Sequence, residues 1–408
     1  MLFFLGAWFL LKNEVIHFNW TDRLIREYAY KKAKKNDHQK VLVLGDSQLE
    51  KWPMKHCLYK DLADYFDDNV IGYLNAAHYG FGPIEYEDQL SKIIPHYKPD
   101  IILICYYAGN DLTDVSYRSN NLPLERTYDV IFEESAKKES VTKKKVSEDL
   151  DFEESSNSLQ DFNWDLFEEK GVDPDIIQFA KNRIAHPNEI GPEYVNPHIV
   201  TLGVWKPDNH YDNCTMTSVS SNYAWYRSLQ KFEGIMTLAD SIGALVVIIV
   251  IPSNVQVDSS HYDFYRKTKF RINDDLLFSN APQQVLYEFS KASKIAYLDL
   301  LPFFKSYQNI GELYFINDDH LSEKGHVLAF NVIKDRMLEP LFHQTQIIEQ
   351  KKRKTNVYLK FKKSVVRHQM EIIKADSAWY SGIREKALEN NVSVDSQLHL
   401  DAIFVLNN

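Results

Sequence analysis

The chain has 408 residues, of which 44% are hydrophobic and 25% are charged, and its formal net charge is −10. Such a composition is ordinary for a globular protein, and the length allows one large domain with additions. The acidic balance argues against a general nucleic-acid-binding role, because affinity for phosphates requires a basic surface. Three cysteines, at positions 57, 105 and 214, form neither a metal-binding spacing nor a disulfide framework.

The N-terminal segment, residues 1–37, combines an apolar start with a predicted amphipathic helix over 20–35. A membrane-spanning helix needs about 20 apolar residues, and the uncharged stretch over residues 1–11 is shorter. We expect the end of a membrane anchor here, with a short uncleaved signal or a buried helix start as alternatives. This favours a location in the cell envelope outside the cytoplasm, although the basic residues that follow argue against export.

Short apolar runs and segments with helical spacing alternate along most of the chain. The runs, which are typical of buried strands, lie at 40–44, 70–74, 101–106, 244–251 and 295–298. The helical segments lie at 84–96, 232–242, 283–291 and 321–338. Alternation at this spacing predicts an α/β fold with a three-layer, doubly wound parallel sheet. Ligands of such sheets bind beyond the carboxyl ends of the strands.

The predicted core domain covers residues 38–340 and contains an insertion over about 112–225, where the regular alternation is lost. Charged runs over 133–175 favour a solvated insertion. A long insertion after a site strand can also form a lid or a substrate wall. Its aromatic residues either pack within it or offer surface for stacking sugars; they are Trp164, Phe167, Trp205 and Tyr211.

Residues 341–408 are predicted to form a basic and helical C-terminal appendage. A helical face with Trp379 and Ile383 is followed by a turn at Asn390 and by Ser393, which can cap another helix. These signals predict a small helical hairpin at the end of the chain.

Ser47 is the candidate nucleophile. It follows the first predicted strand directly, within Gly45-Asp46-Ser47, so its hydroxyl lies at a strand-to-loop turn and can point into a cleft. The short helix predicted after it would offer its amino end to developing negative charge. The alternative interpretation is an ordinary turn serine.

Two further loops contain candidate oxyanion donors. Gly80 follows the second predicted strand, and glycine permits close approach of a backbone N–H to a substrate. Asn110 follows the third, and its side-chain amide can donate a hydrogen bond to an oxyanion. Asp111 is expected to tie this loop down. Plain strand-terminal turns would explain both loops equally.

His320 is the candidate general base among 14 histidines, with His78 and His326 as closer rivals. Of these, His326 is expected to lie on the last core helix in a structural role. A histidine that removes the serine proton, oriented by an acid, is the arrangement of a covalent serine hydrolase.

Asp318 is the candidate acid for His320. Asp319 is expected to be badly placed to reach the ring of its direct neighbour, and the residue three positions before the histidine is Asn317. The sequence therefore favours Asp318 while leaving the other two open.

Together these four segments resemble the SGNH (GDSL-like) hydrolase family over roughly residues 38–338. The resemblance implies that Ser47 is the nucleophile and an oxyanion donor through its N–H, that Gly80 and Asn110 are the other donors, and that His320 is the base. Two departures from the family pattern are the shortened Gly109-Asn110-Asp111 block and Asn317 in place of the usual acid. A variant block of Asp-x-His selects Asp318.

The favoured function is a serine esterase or deacetylase that hydrolyses a small ester, including O-acetyl groups on a glycan, without metal or cofactor. One alternative is an O-acyltransferase that uses the same site, and the other is an inactive glycan-binding module, since a fold does not determine an activity. No nucleic-acid partner is expected.

Overall fold

The computed structural model describes residues 39–50, 52, 54–119, 162–185, 195–215, 218–343 and 356–407. Its centre is a sheet of five parallel strands in the order β2-β1-β3-β4-β5. The strands are β1 (Lys40–Gly45), β2 (Gly72–Asn75), β3 (Ile101–Tyr107), β4 (Leu245–Ile251) and β5 (Ala296–Asp299). All five predicted strands are therefore confirmed.

Among the strands, the start of β2 shows the largest difference between prediction and structure. The apolar run predicts a strand from residue 70, but the strand begins at Gly72. Val70 has a φ of 58°, in the left-handed region, whereas a strand requires strongly negative φ. Val70 instead closes the turn after the preceding helix, with its N–H donating to the carbonyl of Asp67 (3.1 Å).

Helices surround the sheet. Before β4 they are α1 (Leu58–Asp68), α2 (Pro83–Ile93), α3 (Asp111–Ser119), α4 (Trp164–Glu169), α5 (Pro174–Ala185), α6 (Pro197–Trp205), α7 (Asn209–Cys214) and α8 (Val219–Ile242). After β4 they are α9 (Asn254–Val257), α10 (Tyr262–Lys267), α11 (Asp275–Phe278), α12 (Ala281–Ser293), α13 (Leu301–Lys305), α14 (Glu323–Ile333), α15 (Glu339–His343), α16 (Asn356–Ala375), α17 (Ser377–Glu389) and α18 (Val394–Asn407). The four predicted core helices correspond to α2, the end of α8, α12, and α14 with the π-helical turn that follows it.

Alternate residues of the central strands belong to two separate hydrophobic clusters. Leu42 and Ile104 pack in the cluster that contains side chains of α2, α8 and α12. Val41 and Leu103 pack in the cluster that contains side chains of α1, α13 and α14. Because successive strand residues point to opposite faces, helices cover both faces of the sheet. This confirms the predicted three-layer α/β class, and the strand order is that of flavodoxin-like sheets.

The described part of the insertion builds a third hydrophobic cluster with the segment after β4. Phe167 and Val200 from the insertion pack with Tyr265 and Phe270. Most of the charged stretch over 133–175 lies outside the described residues. The predicted end of the insertion at residue 225 falls inside α8, where Trp225 is fully buried in the sheet core.

The C-terminal helices pack onto the same core. Ile373, Ile383 and Leu398, from α16, α17 and α18, belong to the cluster that also contains α8. The predicted cap is present, since the Ser396 N–H donates to Oγ of Ser393 (3.1 Å) at the start of α18. The tail is thus helical, as predicted, and shares the hydrophobic core of the sheet.

No helix within the described ranges is long and apolar enough to cross a membrane. The predicted anchor over 1–11 and amphipathic helix over 20–35 lie outside those ranges. Membrane anchorage and the cell-envelope location therefore stay predictions from the sequence.

The topology brings the candidate residues to one edge of the sheet. β1 pairs with β2 on one side and with β3 on the other, so chain connections leave β1 and β3 in opposite directions. The carboxyl ends of these strands flank the crevice in which doubly wound sheets bind ligands. Ser47 follows β1, Gly80 follows β2 and Asn110 follows β3.

Candidate active site

Ser47 is the first residue of a short 3₁₀ turn, Ser47–Leu49, that begins directly after β1. Asp46 caps this turn, because its Oδ1 accepts the N–H of Gln48 (3.0 Å). A side chain at Gly45 would collide with Leu49, so glycine allows the turn to fold back against the strand end. The local sequence thereby presents the Ser47 hydroxyl at the edge of the sheet.

The structure brings Ser47 and His320 together although 273 positions separate them. Nε2 of the imidazole lies 2.8 Å from the serine Oγ, and Nδ1 lies 2.7 Å from Oδ1 of Asp318. An ionised carboxylate only accepts hydrogen bonds, so Nδ1 carries the donating proton and a neutral ring accepts the serine proton at Nε2. This is the geometry that activates a serine nucleophile.

Both carboxyl groups before His320 approach its ring. Oδ1 of Asp319 lies 3.3 Å from the same Nδ1, against 2.7 Å for Asp318. The expectation that the direct neighbour cannot reach the imidazole is therefore wrong, because the backbone turns sharply enough for both side chains to fold toward it. Asp318 has the shorter contact and is fully buried.

Hydrogen bonds from three directions hold Asp318. Its Oδ1 accepts the N–H of Asp319 (2.8 Å), and its backbone carbonyl accepts Nδ2 of Asn254 (3.1 Å), the first residue of α9. Nδ2 of Asn196 lies 3.5 Å from the same Oδ1. Asn196 also caps α6, since its Oδ1 accepts the His198 N–H (3.0 Å), so the insertion contacts the candidate acid.

The charges of Asp318, Asp319 and His320 depend on one another. Burial opposes ionisation of Asp318, but attraction to His320 and hydrogen bonds hold the pKa of Asp318 below its ordinary value. Burial also opposes the charged imidazole, yet Asp318 and Asp319 together raise the pKa of His320 above its ordinary value. Burial and the neighbouring Asp318 raise the pKa of Asp319 despite its contact with His320.

Gly80 lies on the loop between β2 and α2, in the left-handed region with a φ of 66°. This loop runs against the end of β1, since the His78 N–H donates to the carbonyl of Gly45 (3.2 Å) and the Tyr79 N–H to the Glu50 carboxylate (2.8 Å). A side chain at Gly80 would meet nothing within 4 Å, so its backbone conformation rather than space requires glycine.

Asn110 lies between β3 and α3. Its carbonyl accepts the Asp114 N–H (2.9 Å) and the Thr113 hydroxyl (3.0 Å). Asp111 ties the loop down as predicted, because its Oδ2 accepts the Tyr86 hydroxyl (2.8 Å) and the Tyr107 N–H (3.0 Å). The three candidate donor positions therefore lie on adjacent loops at one sheet edge.

Trp52 forms an aromatic wall beside the candidate base. Its ring centroid lies 4.7 Å from that of His320 and 5.9 Å from that of Phe315. The indole N–H donates to the carbonyl of Ser47 (3.0 Å), which leaves the ring faces for apolar contact.

The rival histidine His326 has a structural role, as predicted. It is buried on α14, and its Nδ1 accepts the Leu58 N–H (3.3 Å). Burial lowers the pKa of His326 to about 3, so the ring stays neutral. Within the described ranges, the one set of three potential metal ligands within 4.8 Å of one another is Asp318, Asp319 and His320 themselves.

Sequence reasoning missed three residues at this site: Gln48, Trp52 and Asn196. The Asn-Pro pair at 196 is a helix-start signal, but the sequence does not show that the capped helix reaches Asp318. Gln48 and Trp52 follow the serine closely, and only their side-chain directions in the fold reveal the contacts.

No family model matches the chain, and no curated protein matches it. Among solved structures it is similar to a Bacteroides fragilis protein provisionally described as an acylhydrolase, with 11% identity, a TM-score of 0.36, and coverage of 77% of this chain and 95% of that one. A lipase/acylhydrolase from Enterococcus faecalis gives 14% identity, a TM-score of 0.33, and coverage of 73% and 97%. Similarity at this level says nothing about activity.

Proposed function

We propose that this protein is a serine hydrolase of the SGNH (GDSL-like) type that cleaves an ester bond through an acyl-enzyme on Ser47. One observation carries the proposal: the His320 ring is hydrogen-bonded to Ser47 Oγ at one nitrogen (2.8 Å) and to Asp318 at the other (2.7 Å). Such a line of nucleophile, base and orienting acid supports nucleophilic catalysis on many unrelated folds.

In this mechanism His320 takes the Ser47 proton as the oxygen attacks the ester carbonyl. The N–H of Ser47, the N–H of Gly80 and the side-chain amide of Asn110 would donate to the oxyanion, and Asp318 stabilises the imidazolium. His320 then protonates the leaving alcohol, which departs and leaves the acyl group on the serine. Water attacks the acyl-enzyme with His320 as base, releases the acid and restores Ser47.

For the substrate we propose a small ester, with O-acetyl groups on a cell-envelope glycan as the favoured class. The partly exposed Trp52 beside His320 supports this choice, because an indole face offers a sugar ring a flat apolar surface. Hydrolysis of acetylated oligosaccharides, measured against simple acetyl esters, tests the class directly.

The mechanism is tested with a fluorophosphonate probe, which reacts with an activated serine. We expect labelling of Ser47 and turnover of a small acyl ester, and loss of both in Ser47→Ala. Ser228→Ala is a matched control, since Ser228 is buried in α8 and its hydroxyl has no hydrogen-bond partner among the residues that the structure describes. Full turnover in a folded Ser47→Ala protein would end the proposal.

Acyl transfer to a sugar hydroxyl is the second candidate. The observation that favours it is the approach of Asn196 to Asp318, which brings a helix of the insertion to the edge of the site and could exclude water there. Labelled acetyl donor with an oligosaccharide acceptor separates the two reactions: transfer yields acetylated sugar, whereas hydrolysis yields free acetate.

A further inference from the structure

We infer that Gln48, the residue directly after the candidate nucleophile, is a positioning residue that sets His320 in place against Ser47. The inference rests on the proposed function, because it concerns the same pair of side chains. It assigns to an uncharged glutamine a role that the four sequence segments do not indicate.

The side-chain amide of Gln48 binds the backbone on both sides of His320. Its Nε2 donates to the carbonyl of Asp319 (3.2 Å), and its Oε1 accepts the N–H of Leu321 (3.0 Å). The orientation of the amide follows from its partners, since a carbonyl only accepts and an N–H only donates. Gln48 has no exposed surface, so water cannot substitute for these bonds.

The backbone of Gln48 is held as firmly as its side chain. Its N–H donates to Oδ1 of the fully buried Asp46, which caps the turn of Ser47. One residue therefore joins the nucleophile turn to the histidine loop, which lies more than 270 positions further along the chain. Movement of either loop would have to break a buried hydrogen bond.

A second group holds the same carbonyl. The Tyr107 hydroxyl, at the end of β3, donates to the carbonyl of Asp319 (2.6 Å). The carbonyl of Asp319 thus accepts hydrogen bonds from two side chains, Gln48 and Tyr107. The N–H of Leu321 donates its hydrogen bond to Gln48. Removal of the tyrosine hydroxyl should therefore have a smaller effect than removal of the glutamine amide.

The position of the loop that contains His320 sets the distances from its ring to the two carboxylates and to Ser47. Nδ1 of His320 lies 2.7 Å from Asp318 and 3.3 Å from Asp319, so a slight rotation of the loop would change which carboxylate holds the ring. The same rotation would move Nε2 away from the Ser47 hydroxyl. Displacements of about 1 Å at a catalytic group can cost a factor of about 100 in rate.

The test uses two substitutions of Gln48. Gln48→Glu keeps an acceptor for the Leu321 N–H but sets an oxygen against the carbonyl oxygen of Asp319. Gln48→Met has similar length and offers neither bond. The matched control is Gln397→Glu on α18, since Gln397 is also buried and uses both amide atoms, with Asn390 (2.9 Å) and Asp401 (2.6 Å).

Two readouts are measured on folded, full-length protein: the rate of fluorophosphonate labelling at Ser47, and the NMR titration of the His320 ring. We expect both Gln48 variants to label about 100-fold more slowly than wild type with a shifted titration, and Gln397→Glu to match wild type. Tyr107→Phe should fall between them.

Folded Gln48 variants with wild-type labelling and titration would overturn the inference. So would failure of both variants to fold while Gln397→Glu folds, because the amide would then be a general requirement of the core. If wild type itself is not labelled, the proposed function fails, and the His320 titration still decides whether Gln48 positions the ring.

Discussion

Buried carboxyl groups lie on two sides of Ser47, and their surroundings shift the pKa of Asp318 in the opposite direction to those of Asp46 and Asp111. On the base side, contact with His320 keeps the pKa of Asp318 low in spite of complete burial. On the oxyanion side, burial raises the pKa of Asp46 to about 7 and that of Asp111 well above its ordinary value. Hydrogen bonds from Tyr107 and Tyr86 to Asp111 do not offset the loss of water.

The difference shows that burial alone does not determine the charge of a carboxyl group in this protein. At Asp318 the attraction of His320 and several hydrogen bonds outweigh desolvation, whereas at Asp46 the hydrogen bond from the Gln48 N–H and the attraction of His320 do not. At Asp319, 3.3 Å from the same ring, burial and the neighbouring Asp318 also prevail. The surroundings therefore favour the charged form of Asp318 on the proposed base side, whereas burial disfavours the charged forms of Asp46 and Asp111 on the proposed oxyanion side. Four predictions test this contrast, beginning with the largest effect.

Asp318→Asn and Asp111→Asn each replace a carboxyl group by an amide, one on each side. We expect Asp318→Asn to lower kcat by about 10³–10⁴-fold, because an amide can hold the wrong tautomer of His320. Burial already disfavours the charged form of Asp111, and in Asp111→Asn the amide oxygen can accept both bonds that Oδ2 of the acid accepts. The loss of kcat in Asp111→Asn should stay within about tenfold, which corresponds to the free energy of one hydrogen bond. Ester turnover measures the activity of both variants, and thermal melts measure their stability. Equal losses of kcat would refute the contrast.

The pH profile of kcat/KM reports the protonation state of His320. In the proposed mechanism His320 must be neutral to act as base, and its raised pKa means that the neutral fraction grows only above the ordinary titration range of histidine. Activity should therefore rise with pH through a midpoint above about 6.5. Removal of one neighbouring charge in Asp319→Asn should lower that midpoint by about one unit.

A midpoint that does not move in Asp319→Asn would show that Asp318 alone sets the charge of His320. The 3.3 Å contact of Asp319 would then contribute nothing to the imidazole. Asp111→Asn serves as the control, because it removes a carboxyl group from the oxyanion side and should leave the midpoint in place.

Substitutions of Asn196 test whether the insertion influences the charges of Asp318 and His320. Serine and aspartate both cap helices well, so Asn196→Ser and Asn196→Asp should each keep the start of α6 and change the melting temperature little. Aspartate also adds a negative charge within reach of Asp318. We expect Asn196→Asp to raise the midpoint of the pH profile by several tenths of a unit or more, and Asn196→Ser to leave it nearly unchanged. An identical profile in all three proteins would exclude electrostatic coupling.

Gly80→Ala gives the smallest effect. Its φ of 66° disfavours alanine, and a Cβ would meet nothing within 4 Å, so we expect a loss of about 1 kcal/mol in unfolding free energy. Gly243→Ala at the end of α8 has the same two properties, with a φ of 75°, and serves as control. Only Gly80→Ala should also lower kcat/KM, by up to about tenfold, because relaxation of its backbone would turn the N–H that we propose as an oxyanion donor.

Equal activity of the two glycine variants would refute the proposed oxyanion role of Gly80. Denaturant unfolding supplies the stability comparison, and kcat/KM on a small ester supplies the catalytic one.

The strands were predictable because each is a continuous apolar run, such as Ile101–Tyr107, whose burial on both faces leaves a clear pattern in the sequence. The start of β2 was not, since an apolar Val70 can occupy a left-handed turn as well as a strand. An apolar residue indicates burial, but it does not indicate the backbone conformation.

The order of residues along the chain determined the sheet, the edge at which Ser47, Gly80 and Asn110 lie, and the choice of His320 as the candidate base. These features follow from local patterns and from the rule that parallel strands end at one edge. Only the tertiary structure decided how closely Asp318 and Asp319 share the imidazole, and that Gln48 and Asn196 reach the same loop from distant segments. The physical reason is that hydrogen bonds act over about 3 Å, so they depend on side-chain direction in the folded chain, which spacing in the sequence does not encode.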